Sequence, residues 1–314
     1  MKSIRIGTRG STLALWQAHW VEAELQRHGF ATQIVEIGTS GDQNERRPIA
    51  DLGVEGVFTK EIQRALLDGV IDMAVHSLKD LPTENVNGLE FAASPKRGPY
   101  RDAFVSNKAA PDELPDGSRI GTGSIRRKAQ LLNLYGERFQ IVDVRGNVET
   151  RLRKLEANNY DAIILAEAGL VRLGLSEQIT AFLEPPRFLP AIGQGAIGVE
   201  IRTDGAETLR SAIDCLNDPP TFAAVTAERS LLRTLRGGCL APIAALAVVD
   251  VSTARITLDA RVLSSDGTQR REASQNASIH IAAEKNVIRD IAEKLGRDVA
   301  DELLATGADK LLRS

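Results

Sequence analysis

Over its first two-thirds the chain alternates short β-type runs with helical patterns, and this alternation constrains the fold more than any other feature. Ile4-Arg5-Ile6 reads as a strand, Leu13 to Leu25 carries apolar residues at helical spacing, and Thr32 to Ile37 alternates polar and apolar. The stretch from Gly38 to Gly56 is polar and glycine-bearing, which predicts a loop, and Phe58 to Leu67 predicts a short amphipathic helix. Ile71 to Val75 is a strand that runs directly into His76-Ser77-Leu78-Lys79-Asp80. Beyond Pro99 the pattern recurs, with strands at Ala103–Val105, Arg119–Gly121, Gln140–Val144 and Ala162–Leu165 and helices starting at Ile125, Val148 and Ala168. Strands alternating with helices predict an α/β architecture with largely parallel sheets.

After Pro219-Pro220 the texture changes. Phe222 to Leu235 reads as one helix, residues 241–280 alternate like antiparallel strands with an Asp266-Gly267 turn, and Val287 to Leu304 closes as an amphipathic helix. That order fits a small α+β unit. Pro95–Pro99 and Pro190–Gly195 are candidate crossing points, where the chain would leave one lobe and return to it. The expected division is therefore residues 1–95 with 195–216, residues 99–190, and residues 219–314. A length of 314 residues accommodates three such lobes.

Composition excludes several classes. The 39 basic and 42 acidic residues leave a net charge of −3, so nothing global marks a nucleic-acid binder. Two cysteines, Cys215 and Cys239, and four histidines make neither a disulfide framework nor a cluster of zinc spacing, and no metal is expected. No apolar run approaches the roughly 20 residues of a membrane span. The start of the chain lacks the apolar centre of a signal peptide. The expectation is a soluble cytoplasmic protein with no membrane partner.

Gly193-Gln194-Gly195-Ala196-Ile197-Gly198 matches the dinucleotide fingerprint letter for letter. That motif needs a strand before it and a helix opening within it. Here Pro190 precedes it and Val199 to Arg202 alternates like a strand, so a hinge or a close backbone approach is the better reading.

Arginine placement is more informative. Between Arg119 and Lys154 nine basic residues stand against three acids. Ser124-Ile125-Arg126-Arg127 and Arg145-Gly146-Asn147 fall where strands should turn into helices, as does Gly7-Thr8-Arg9-Gly10-Ser11. Strand C-termini and helix N-termini face the ligand crevice of an open α/β sheet, and both favour anions. Arginine adds bidentate recognition of carboxylate or phosphate. A multiply charged anion is the expected ligand, against the plainer reading of solvated surface arginines. RNA is the weaker choice because few aromatic residues accompany the arginines.

Lys79 and Asp80 would set an ammonium and a carboxylate at one strand end, suited to general acid/base work, or would be a surface pair and helix cap. His76 reads as a structural histidine. Cys239 lies in a glycine-flanked loop where a thiol can be reached, although lone cysteines are more often packing. Cys215 reads as a buried helix position without a role.

Taken in order, these segments resemble the porphobilinogen deaminase (hydroxymethylbilane synthase) family. The matching stretches are Ile6 to Ala18, Val75 to Pro82, Arg101 to Val105, Gly121 to Arg127, Arg145 to Val148, Leu189 to Ala196 and Gly237-Gly238-Cys239. The resemblance implies two α/β lobes like those of type II periplasmic binding proteins, plus a small C-terminal α+β domain. It implies a transferase that condenses four porphobilinogen molecules head to tail with loss of ammonia. A dipyrromethane cofactor on a thioether to Cys239 would prime the chain, and hydrolysis would release hydroxymethylbilane.

By the same resemblance Asp80 would stabilise the cationic azafulvene left when ammonia departs. Arg9, Ser11, Lys79, Ser124, Arg126, Arg127, Arg145, Arg151 and Arg172 would hold the acetate and propionate side chains of cofactor and substrate. Phe58, Gly146, Asn147 and Gln194 would support the site, and the enzyme would act as a monomer. The sequence departs from the family pattern at Ser40, Asp51, Glu55, Gly123 and Val171, none of them a residue assigned to the chemistry. Its rival from another class is a non-catalytic anion-binding module with the same two lobes.

Overall fold

The structure is a computed structural model of the 314-residue chain. It describes residues 3–38, 59–84, 86–236 and 241–312. The loop expected from Gly38 to Gly56 lies almost wholly outside them, as do Phe58 and Cys239. The chain divides into two compact units, one of Met1–Gly98 with Ala196–Phe222 and the other of Pro99–Gly195 with Ala223–Ser314.

The first unit runs β1 (Ile4–Thr8), α1 (Thr12–Arg27), β2 (Thr32–Glu36), α2 (Lys60–Leu67), β3 (Met73–Ser77) and β4 (Leu89–Ala93). In the second follow β5 (Asp102–Ser106), β6 (Arg119–Gly121), α3 (Ile125–Tyr135), β7 (Gln140–Val142), α4 (Val148–Glu156), β8 (Ala162–Ala166), α5 (Glu167–Arg172) and β9 (Ala181–Leu183). The chain then returns through β10 (Ile197–Arg202) and α6 (Ala206–Leu216), and α7 (Pro219–Thr234) carries it into the second unit again. There β11 (Ile243–Asp250), β12 (Arg255–Leu263), β13 (Arg270–Ser278), α8 (Lys285–Ala305) and α9 (Ala308–Leu312) complete it.

Local chemistry explains these elements. Ser11 caps α1, its hydroxyl accepting from the Ala14 amide, and Ala18, Val21 and Leu25 form the buried stripe. Gly29, at φ +84°, turns the chain out after the last helical turn. Trp16, counted in the apolar pattern, is instead exposed. The stripe packs on Ile4, Ile6, Met73 and Val75 of the sheet together with Ile197, Val199 and Ile201. Each such fully buried aliphatic side chain contributes about 1.5–3 kcal/mol.

Both α/β sheets have five strands, in the orders β2-β1-β3-β10-β4 and β7-β6-β8-β5-β9. Each follows the plan second, first, third, incoming, fourth, so the two sheets share one topology. Four strands of each sheet run the same way, as the alternation predicts, and one runs against them. In one, β10 runs antiparallel to β3 and β4. In the other, β5 runs antiparallel to β8 and β9. Both are the strands on which the chain enters, without a helix to reverse it, which is why a reading based on βα alternation misses their direction. The glycine run at Gly193–Gly198 leads into strand β10, with no helix opening inside it. In the C-terminal part, β11, β12 and β13 form an antiparallel sheet, against which α8 lays Ile288, Ala292, Leu295, Val299 and Leu303.

Candidate functional site

In the first unit the C-terminal ends of β1 and β3 frame a concavity of about 70 Å³. Arg9, Ser11, Leu13, Ala14, Thr59, Ile62, Val75, His76, Ser77 and Asp80 line it. β3 ends in the single 3-10 turn Leu78–Asp80, which buries Leu78 and leaves Lys79 and Asp80 exposed. The base of that turn is held firmly. Gln17 of α1 donates to Ser77 Oγ at 2.8 Å, and the Leu78 amide bonds the Ala196 carbonyl at 3.1 Å. An exposed carboxylate on a clamped turn, with a guanidinium and a hydroxyl on the same wall, suits a small cationic or N–H-bearing substrate that also carries anionic groups.

Beneath this concavity, His76 Nε2 lies 3.2 Å from Glu200 Oε2, and Gln63 donates to Glu200 Oε1 at 2.9 Å. His76 is buried, in agreement with a structural reading. Its partners carry no local mark in the sequence, since they come from α2 and from β10, 124 positions downstream.

The second unit carries most of the arginines. Ser124 caps α3 and Asn147 caps α4, with the Asn147 side chain accepting from the Thr150 amide at 2.8 Å. Two helix N-termini therefore stand at the C-terminal ends of parallel strands β6 and β7, a sound place for anions. Arg145, Gly146 and Asn147 form the β7–α4 turn. Gly146 sits at φ +109°, and a Cβ there would come 2.5 Å from Thr150 Cγ2, so only glycine fits. Arg151 folds back to donate to the Gly146 carbonyl at 2.8 Å, and Lys154 donates to the Arg145 carbonyl at 3.0 Å. Arg145 Nε donates to Asp143 at 2.7 Å, both side chains remaining partly exposed. At Gly123 an added Cβ would meet Asp143 Oδ1 and the Val144 carbonyl at 3.0 Å, a tight approach beside the β7–α4 turn.

Arg126 and Arg127 differ from this group. Both are buried and grip the fully buried Asp102, Arg126 Nη1 at 2.8 Å and Arg127 Nη2 at 2.7 Å. Burial alone would raise the Asp102 carboxyl, but the charges of Arg126 and Arg127 outweigh it and hold it well below the usual carboxylate range. Two guanidiniums against one carboxylate leave one positive charge over. Arg126 Nε is buried and meets no acceptor among the described residues. Gln194 joins the same cluster, donating to Asp102 Oδ1 at 3.1 Å and to the Tyr100 carbonyl at 2.8 Å. Arg172, at the end of α5, donates to the Gly195 carbonyl at 2.7 Å. Burial pulls its pKa down to about 10, which leaves it cationic at neutral pH.

Asp102 was not singled out from the sequence. Its signal is an acid at the head of the apolar run Ala103-Phe104-Val105, in a strand buried along most of its length. Cys215 is half-buried rather than buried, with Sγ 3.2 Å from the Ala212 carbonyl. Among the described residues no group of His, Cys, Asp and Glu is placed to hold a metal, and no helix is long and apolar enough to cross a membrane.

Residues 4–210 match the family model for the dipyromethane cofactor binding domain of porphobilinogen deaminase, and residues 222–305 match the model for its C-terminal domain. The chain belongs to the porphobilinogen deaminase family. A porphobilinogen deaminase of Trichlorobacter lovleyi is 46% identical over 313 residues, covering 99% of this chain and 96% of that protein. One from Geobacter metallireducens is 46% identical, covering 99% and 94%. Among solved structures, the methionine-binding protein MetQ is similar with a TM-score of 0.44 at 14% identity, covering 68% of this chain and 89% of that one. A periplasmic substrate-binding protein from Coxiella burnetii gives a TM-score of 0.44 at 15% identity, covering 72% and 96%. Within the porphobilinogen deaminase family, a cofactor-binding domain rich in helix N-termini and guanidiniums matches a ligand that bears carboxylates.

Proposed function

We propose that the chain carries out the family's reaction, hydroxymethylbilane synthesis from porphobilinogen, with Asp80 as the catalytic residue. The observation that carries this reading is the exposed Asp80 carboxylate on its clamped turn, sharing a concavity with Arg9 and Ser11. As ammonia leaves porphobilinogen, Asp80 offsets the positive charge that develops and accepts a hydrogen bond from the pyrrole N–H. Arg9 and Ser11, with Lys79 beside Asp80, take carboxylate side chains of the substrate.

The residues of the second unit fit a carboxylate-bearing dipyrromethane. Arg145, Arg151 and Arg172 supply charge, the α3 and α4 N-termini capped by Ser124 and Asn147 supply amide dipoles, and the Nε of Arg126 is a donor without an acceptor among the described residues. When bound, that group would supply the free terminal pyrrole carbon to which the first porphobilinogen unit is joined. Arg126 and Arg127 act from behind, with Asp102 taking up one of their two charges. Gln194 fixes the crossing segment to Asp102, and Gly146 permits the turn that presents Arg145. Cys239 is the proposed thioether anchor and Phe58 a proposed supporting residue; both lie outside the described residues.

The same reading divides the chain into the three domains of residues 1–95 with 195–216, 99–190 and 219–314, and makes the protein a cytoplasmic monomer without nucleic-acid or membrane partners. The direct test is porphobilinogen turnover by Asp80→Asn. The variant folds, carries its cofactor and turns over at a small fraction of the wild-type rate; near-normal turnover removes Asp80 from the chemistry.

A further inference from the structure

Strand β12 alternates sides, and on one of them the burial changes along its length. Arg255 is exposed and Thr257 and Asp259 are half-buried, yet Arg261, the next residue on that side, is buried. A charged side chain is rarely buried unless it is fully partnered. Arg261 is: Nε donates to Glu272 Oε1 at 2.7 Å, Nη1 to the Arg187 carbonyl at 3.0 Å, and Nη2 to the Pro186 carbonyl at 2.9 Å. Glu272 is its direct cross-strand neighbour on β13, so the guanidinium is aimed by the sheet itself.

A further bond leads inward. Arg261 Nη1 also reaches Gln130 Oε1 at 3.2 Å. Gln130, fully buried on α3, grips the backbone of Leu189 at both ends, accepting from its amide and donating to its carbonyl, each at 2.9 Å. That same Leu189 carbonyl accepts from Arg126 Nη1 at 2.7 Å. Residues 186–189 form no ladder with any described strand. Pro186, Arg187 and Leu189 are held in place by side chains from β12 and α3. The position of one acceptor of Arg126 is thus set by the C-terminal sheet.

We propose that Arg261 is a positioning residue for Arg126, acting through Gln130 and the backbone of residues 186–189. Resting on the functional reading above, it makes the C-terminal sheet a determinant of how the second unit holds carboxylates. Arg126 has two fixed acceptors, Asp102 and the Leu189 carbonyl, and they decide where its unmatched Nε lies. Loss of Arg261 lets the 186–189 segment and the Leu189 carbonyl shift, and Arg126 follows.

The experiment measures kcat and KM for porphobilinogen, with Tm and intact mass as controls for fold and cofactor load. Its variants are Arg261→Leu, Arg261→Lys, Gln130→Leu and the Arg261→Leu/Gln130→Leu pair. Arg261→Leu raises KM about tenfold, the loss of one charge-assisted hydrogen bond's worth of affinity, with kcat changed far less. Arg261→Lys recovers part of this. The double variant is no worse than the poorer single one, because both act on one chain of contacts. A merely structural Arg261 lowers Tm and leaves KM at the wild-type value, which overturns the proposal, as do multiplicative effects in the double variant. Should Arg261→Leu not fold, Glu272→Gln, at a partly exposed position, carries the test: a KM raised about twofold to threefold supports the proposal and an unchanged KM overturns it. Wild-type protein unable to use porphobilinogen defeats the functional reading and this inference with it. An Arg126→Leu variant that loses affinity while Arg261→Leu keeps it defeats the inference alone.

Discussion

Asp102 and Asp80 are carboxylates of opposite kinds. Asp102 is sealed between two guanidiniums, so Asp102→Ala strands two buried positive charges and costs about 3–5 kcal/mol. Thermal unfolding shows this as a large fall in Tm. Because the folded Asp102 carboxyl lies below its unfolded value, its stabilisation is complete above the ordinary carboxylate pKa near 4. It fades as pH falls through that value toward the depressed folded one. The gap between wild type and Asp102→Ala therefore holds constant from pH 8 to about 5 and narrows in stronger acid. A gap that widens in acid contradicts the assignment. Arg145 is partly exposed and, among the described residues, is paired across its own turn, so Arg145→Leu alters stability by less than about 0.5 kcal/mol. It nevertheless abolishes cofactor assembly or elongation, read by intact mass and turnover. Normal elongation by a folded Arg145→Leu protein removes that residue from the site.

The elements that present these side chains are strand–turn–helix junctions, and each depends on its cap. Asn147→Ala removes the bond to the Thr150 amide and destabilises α4 by about 1 kcal/mol, whereas Asn147→Asp keeps it. Gly146→Ala is worse at the same junction, since it combines a positive φ with a 2.5 Å approach to Thr150. Hydrogen exchange at the start of α4 should rise in both, and protection equal to wild type counts against the caps as organisers of the turn. These junctions were legible in sequence, because a polar cap after a short apolar run has a local signature. Strands β4 and β9 were not, nor was the direction of β5 and β10. Their identity rests on partners far along the chain, as Asp102 pairs with Leu183 and Glu200 with Ala74 and Phe91. The buried polar contacts were invisible for the same reason. Gln130, Arg261 and Glu200 carry no local mark of the neighbours that the fold brings to them.

At the scale of the whole chain, two sheets of one strand order arise from segments without an internal sequence repeat. In one the incoming antiparallel strand is the first laid down, β5, and in the other it is the last, β10. The crossing segment between them is fastened along its length by side chains from several elements. Gln130 and Arg126 hold Leu189, Glu228 accepts from the Gly193 amide at 2.7 Å, and Arg172 holds the Gly195 carbonyl. This explains why a net charge of −3 coexists with a carboxylate-binding reading: the cations are concentrated where strands end and where the chain crosses.

The central claim is that this assembly binds a covalent dipyrromethane and extends it. Intact mass of the purified, denatured protein, followed by peptide mapping, tests it most directly. The account predicts an addition equal to two condensed porphobilinogen units, located on Cys239. A chain that is unmodified, and stays so after incubation with porphobilinogen, contradicts it and leaves a non-catalytic anion-binding protein as the better reading.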